Sequence, residues 1–200
     1  MRRARDNPFA TEHVLRVRYR FLKGSLADLL VRLESSGFRG AIVGPEGSGK
    51  TTLLEDLVAP LEARGFRVHL WRLHRGSRRQ SWMLCRSLRR ARLGPGDLAL
   101  LDGAEQLGPL AWFLARRATR RAGGLLITRH RPGGLPTLLS CRTSPGLLHD
   151  IVANLAGDTA AADGERAREL FARHGGNLRE ALRELYDQWA HAPSSPDADF

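Results

Sequence analysis

Cysteine and lysine are almost missing from this 200-residue chain, with two of each. Two cysteines, Cys85 and Cys141, cannot form a disulfide scaffold, and the expectation is a reducing compartment. No apolar run approaches the roughly 18 residues that a membrane helix needs. The opening Met-Arg-Arg-Ala-Arg-Asp-Asn-Pro is basic but has no hydrophobic stretch of a secretion signal, so the expected location is the cytoplasm. Neither cysteine has a second one nearby, and the seven histidines show no ligand spacing, which argues against zinc, haem and flavin chemistry. The scarcest feature is negative charge in the middle. Residues 63–149 hold seventeen arginines against three carboxylates, Asp97, Asp102 and Glu105. The flanks differ: residues 1–62 carry ten basic against eight acidic groups, and residues 150–200 carry five against ten. A cationic block of this kind attracts phosphates, whether of a nucleotide or of a nucleic acid. A compositional preference for arginine over lysine accounts for the choice of cation. It does not account for the missing carboxylates.

What is present is a globular composition, 42% hydrophobic and 26% charged. Residues 25–35 read as a helix with Leu26, Leu29, Leu30 and Leu33 on one face and Gly37 after its end. Ala41–Val43 reads as a buried strand, followed by a helix over 50–63 that Pro60 bends in its last turn. Further strands are expected at Phe66–Trp71, Leu98–Leu101, Leu125–Thr128 and Thr137–Arg142, with helices over 77–92 and 108–121 between them. His69 and His74 flank the end of the second strand and read as structural. Strands alternating with helices imply an α/β fold, a parallel five-stranded sheet flanked by helices.

After Ser144 the pattern becomes purely helical. Ser144-Pro145 is a helix cap followed by proline at the first helical position. A second helix covers about 163–174, and Asn177 caps a third, with Glu180 placed for a capping box. The expected organisation is therefore an α/β domain with an N-terminal arm (1–143), a helical lid (144–191) and a disordered tail (192–200). Residues 1–8 are expected to be loose.

Between the first strand and its helix stands Gly44-Pro45-Glu46-Gly47-Ser48-Gly49-Lys50-Thr51, the P-loop pattern G-x-x-x-x-G-K-[ST]. Glycines let the backbone N–H groups wrap a phosphate, and the following helix presents its positive end to the same anion. Lys50 supplies a compact charge for the β- and γ-phosphates, where a planar guanidinium would not fit. The cofactor contacts expected run from Gly44 through Thr52, with the Thr51 hydroxyl placed for Mg²⁺. The chain has no Asn-Lys-x-Asp guanine signature, so the expected nucleotide is ATP. Asp97-Leu98-Ala99-Leu100-Leu101-Asp102 puts a carboxylate at the C-terminal edge of the sheet, where ligands of open α/β folds lie, and Asp102 is the second candidate for the metal.

With this loop, Asp102, the polar end of the fourth strand and the helical lobe, residues 38–190 resemble a compact AAA+-type P-loop ATPase. The resemblance implies that Thr128, in Leu-Leu-Ile-Thr, orients the attacking water as a sensor residue. It also implies that Arg179, in Gly-Gly-Asn-Leu-Arg-Glu-Ala-Leu, touches the γ-phosphate from the lid. The plain alternatives are a strand-end hydroxyl and a solvated first-turn arginine. Asn7-Pro8-Phe9 resembles segments that lie beside the adenine in that family. Two departures stand out. The family's usual Asp-Glu is here Asp102-Gly103, so Glu105 is the candidate catalytic carboxylate, unless it caps the helix starting near Gly108. Residues 129–136 are too short for the helix that carries a trans-acting arginine, leaving Arg129 and Arg131 as candidates.

Residues 40–75 are also similar to small nucleotide kinases and to the molybdopterin-guanine dinucleotide adapter protein, though the kinase lid and acceptor pocket are not found. Three functions follow. One is an ATPase that couples hydrolysis to a partner, using Lys50, Glu105, Thr128 and Arg179. The second is a nucleotide-gated binding module that turns over poorly. The third is a nucleic-acid-dependent ATPase using the Arg78–Arg92 helix and Arg116–Arg121.

Overall fold

The computed structural model describes residues 7–73, 78–157 and 163–191. His74, the first six residues of the arm and the 192–200 tail fall outside these. The chain divides into two compact units. Of the described residues, one comprises 21–45 and 49–141; the other comprises 7–20, Glu46–Ser48 and those from Arg142 to His191. The sequence reading assigns the N-terminal arm to the α/β part, whereas here residues through Arg20 group with the C-terminal helices.

The first unit is a sheet of five parallel strands in the order β2-β3-β4-β1-β5. They are β1 (Arg39–Val43), β2 (Arg67–Arg72), β3 (Asp97–Asp102), β4 (Gly124–Arg129) and β5 (Thr137–Ser140). The three central strands are near-continuous runs of Ala, Ile, Leu and Val and are buried almost throughout, as parallel strands covered on both faces must be. α5 (Arg78–Ala91) and α6 (Pro109–Ala118) pack together, and Leu84, Leu88, Ala111 and Ala115 bury against Ala99, Leu101 and Ile127. α2 (Leu26–Ser35) buries Leu29, Leu30 and Leu33, and Ser25 caps it by accepting the Asp28 N–H.

The helix after the P-loop is interrupted at one residue, Leu57, whose backbone stays in the helical region and whose N–H still donates to the Leu53 carbonyl. α3 (Lys50–Asp56) lies before this interruption and α4 (Val58–Glu62) after it. Pro60 is the cause: it has no N–H for the Asp56 carbonyl four residues back, and its ring crowds that group. Its effect therefore falls on the preceding turn and not on the last one.

The second unit holds α1 (Thr11–Val14), α7 (Pro145–Ala156), α8 (Gly164–Arg173) and α9 (Leu178–His191). Leu147, Leu148, Val152, Leu170, Leu178, Leu182 and Leu185 make its core. Ser144 caps α7 through the Leu147 N–H, and Asn177 Oδ1 accepts from the N–H groups of Arg179 and Glu180. The Asn177 N–H donates to the His174 carbonyl, the bond that a capping-box Glu180 would have taken. The expected looseness of residues 7 and 8 is not found. Asn7 is buried, its amide donates to the Tyr186 carbonyl at 3.0 Å, and Phe9 packs into the helical core.

Asp97, at the start of β3, is a buried carboxylate with Arg67, His69 and the Gly94 N–H around it. The Gly94 N–H and His69 hold its carboxyl below the usual range. Its ionised form therefore stabilises the fold above the unfolded carboxylate's pKa, and that gain fades as pH falls through the lower folded value. Asp97→Asn should cost about 1–3 kcal/mol near neutral pH. Urea unfolding of both proteins across acid pH checks this: the difference should shrink as the solution is acidified.

Candidate nucleotide site

β1 ends at Val43 and delivers the P-loop at the C-terminal edge of the sheet, the edge at which β3 and β4 also end. Gly47 and Gly49 adopt φ of 73° and 81°, the left-handed region that side-chain-bearing residues avoid. Lys50 is buried, and its ammonium donates to the carbonyls of Gly44 and Pro45 at 2.7 and 2.6 Å. This folds the cation over its own loop. Ser48 is buried as well.

Strand register explains the next cluster. Leu101 pairs with Ile127, which sets Thr128 across from Asp102, and Thr128 in turn pairs with Ile42 of β1. The Thr128 hydroxyl is fully buried and donates to Asp102 Oδ1 at 2.6 Å. Thr51, in the first turn of α3, donates to Asp102 Oδ2 at 2.8 Å. The Gly103 N–H closes the network on the Thr128 oxygen at 2.7 Å. Thr51 and Asp102, the two expected metal-site residues, are thus in direct contact. Their oxygens suit Mg²⁺, a hard cation that takes one or two protein oxygens and completes its shell with phosphate and water. Among the described residues no three His, Cys, Asp or Glu side chains gather into a richer cage. The Thr128 hydroxyl, like that of Thr51, is turned toward the Asp102 carboxylate.

Glu105 lies on a short 3₁₀ turn, Ala104–Gln106, with Oε1 3.2 Å from His130 Nε2 and Oε2 buried without a hydrogen-bond partner. It does not cap α6, whose N-cap is Gly108 with Pro109 next. The neighbourhood of His130 was invisible in the sequence; a histidine just past the Leu-Leu-Ile-Thr-Arg strand was its only signal. Arg129 is half-buried with its Nε enclosed and unpartnered, whereas Arg131 is exposed.

In the helical unit, Asn177 sits against Gly47: a Cβ on Gly47 would fall 1.9 Å from Asn177 Oδ1. Arg179, two residues on, is exposed in the first turn of α9. Asn7 and Phe9 have their side chains engaged within that same unit.

The outer side of α5 and α6 has a different character. Trp82 is 53% exposed, Phe113 62%, and Met83 and Leu110 stand with them. Arg79, Arg86, Arg89, Arg90, Arg116 and Arg117 are exposed on the same two helices and pair with no carboxylate among the described residues. Other arginines of the block are committed: Arg64 to Glu34, Arg67 to Asp97, Arg72 to Glu55.

No protein-family model matches the chain, and no curated protein matches it. Among solved structures, the crystal structure of a DNA replication initiation factor is similar, with a TM-score of 0.56 and 15% identity over 81% of this chain. A structure of C. elegans PCH-2 is similar with a TM-score of 0.48 and 11% identity, over 84% of this chain and 67% of that one. The chain spans 59% of the length of the replication initiation factor. With the strand order and the loop after β1, the first of these likenesses shows the fold: a parallel five-stranded sheet flanked by helices, with helices following it.

Thr128→Val should strand the Gly103 N–H and remove one bond from Asp102, costing about 1–3 kcal/mol, while Thr128→Ser should recover most of it. Chemical unfolding of the three proteins checks this.

Proposed function

We propose, from the AAA+-type P-loop fold, that this chain binds Mg²⁺-ATP and hydrolyses it in response to a nucleic acid. The observation that carries the reading is the Thr51–Asp102–Thr128 cluster at the sheet edge where the P-loop begins. In this reading the loop N–H groups from Gly44 to Thr52 cradle the phosphates, and Lys50 exchanges its loop carbonyls for β- and γ-phosphate oxygens. Thr51 and Asp102 hold the metal, which neutralises charge on those oxygens. Glu105 positions the attacking water, Thr128 keeps Asp102 aligned, and Arg179 senses the γ-phosphate. The placement of the α9 cap against Gly47 supports the last assignment.

The nucleic-acid partner is supported by the α5–α6 surface. Unpaired guanidinium groups track a phosphate backbone, and exposed Trp82 and Phe113 offer planes for unstacked bases. A single strand suits this face better than a duplex. The nucleotide-gated module that does not hydrolyse remains the second reading, favoured by Gly103 where a catalytic glutamate usually stands.

ATP binding by calorimetry should be lost or severely weakened in Lys50→Ala. Undiminished affinity would overturn the phosphate assignment.

Affinity for a fluorescent single-stranded oligonucleotide should fall linearly in log salt, and reversing Arg86, Arg89, Arg116 and Arg117 to glutamate should flatten that slope. Trp82→Ala should weaken binding about fivefold to a hundredfold with the slope unchanged, the loss of one stacked base. Absence of binding at low salt would return the charge to composition alone.

A further inference from the structure

At Gly103 the φ is +82°, and a Cβ there would lie 2.7 Å from the Leu73 carbonyl oxygen. That oxygen belongs to backbone pinned in place, since the Leu73 N–H donates to the Asp102 carbonyl at 2.9 Å. Both the conformation and the contact disfavour a side chain, so a glutamate directly after Asp102 does not fit this chain's local backbone. The chain instead takes one 3₁₀ turn, buries Ala104 in the core and presents Glu105. A carboxylate displaced in this way needs a new support.

His130 stands at that place. Its backbone is fixed by the preceding residues: the Arg129 carbonyl accepts the N–H of Gly44, the first P-loop residue, and Thr128 holds Asp102. Its Nε2 faces Glu105 Oε1 at 3.2 Å. The other oxygen, Oε2, is buried and has no protein partner, although the carboxylate as a whole is 20% exposed. A buried carboxylate oxygen without a donor is costly unless a ligand or water completes it.

We infer that His130 is a positioning residue that holds Glu105 by one oxygen and so leaves Oε2 to accept a hydrogen bond from the attacking water. The inference rests on the hydrolytic reading above. In the step it serves, the water oxygen bonds to the γ-phosphorus, and the bond to the β–γ bridging oxygen breaks with its electron pair left on ADP. The water proton passes by way of Oε2 to the released phosphate. Without His130 the side chain of Glu105 swings among rotamers, and misplacement of about 1 Å costs roughly a hundredfold in rate.

Steady-state ATP turnover with saturating single-stranded oligonucleotide, together with ATP affinity by calorimetry, tests this on the full chain. His130→Ala should lower kcat about tenfold to a hundredfold and leave ATP affinity and the melting temperature unchanged. His130→Gln, which keeps an N–H donor, should retain most of the rate. Glu105→Gln should lose most turnover, and the His130→Ala, Glu105→Gln double variant should be no slower than Glu105→Gln alone. An unchanged kcat in His130→Ala, or losses that multiply in the double variant, would overturn the inference while sparing hydrolysis. Turnover that survives Glu105→Gln, or is absent from the unaltered protein, removes the role of Glu105 and the inference with it.

Discussion

Asp102 accepts one hydroxyl on each of its oxygens, and the α/β unit is organised around that arrangement. Thr51 comes from the helix behind the P-loop and Thr128 from the strand between β1 and β3, so a single carboxylate ties three elements together. The tie works only because the strands are in register to within one residue; a slip would turn Thr128 to the opposite face of the sheet. The Gly103 N–H bound to Thr128 then bends the chain away from the strand axis, and the turn that bears Glu105 follows from that bend. Nucleotide chemistry, in the reading proposed, is grafted onto a hydrogen-bond network that also fixes the sheet edge.

The arginine block separates into two populations with different physics. Arg64, Arg67 and Arg72 meet carboxylates, and Arg39 donates to the carbonyls of Thr119, Arg120 and Ala122 past the end of α6. Those groups are part of the fold. The outward guanidiniums of α5 and α6 are not, and they bring like charges together with no carboxylate paired to them among the described residues. Such repulsion persists only where an external anion relieves it or where nothing selects against it. Large aromatic and aliphatic side chains are exposed among them, which is the surface the proposed nucleic-acid reading uses.

Much of this was legible in the residues. Strand and helix alternation, the P-loop spacing and the Ser144-Pro145 and Asn177 caps are local signals, and each is met in the structure. What stayed hidden depends on contacts distant in sequence. Asn7 is ordered by a carbonyl 179 positions away. Glu105 was visible as a carboxylate near a strand end, but its meeting with His130 depends on the packing of the 3₁₀ turn against β4. The reason for Gly103 was equally out of reach, because it lies in the Leu73 carbonyl beside it and not in any neighbour along the chain.

The bond between Asn7 and Tyr186 also sets an order of events during synthesis. Every strand of the sheet has been made once Ser140 is joined, so the α/β unit can pair its strands while the C-terminal helices are still to come. The helical unit cannot finish in that way. Phe9 must wait for Leu178, Leu182 and Leu185 to complete the core it enters, and meanwhile remains a greasy side chain on an unanchored segment. Contacts between segments so far apart in sequence are slow to close. A ribosome that stalls late on this message would leave a finished sheet attached to an N-terminal segment with nothing to hold.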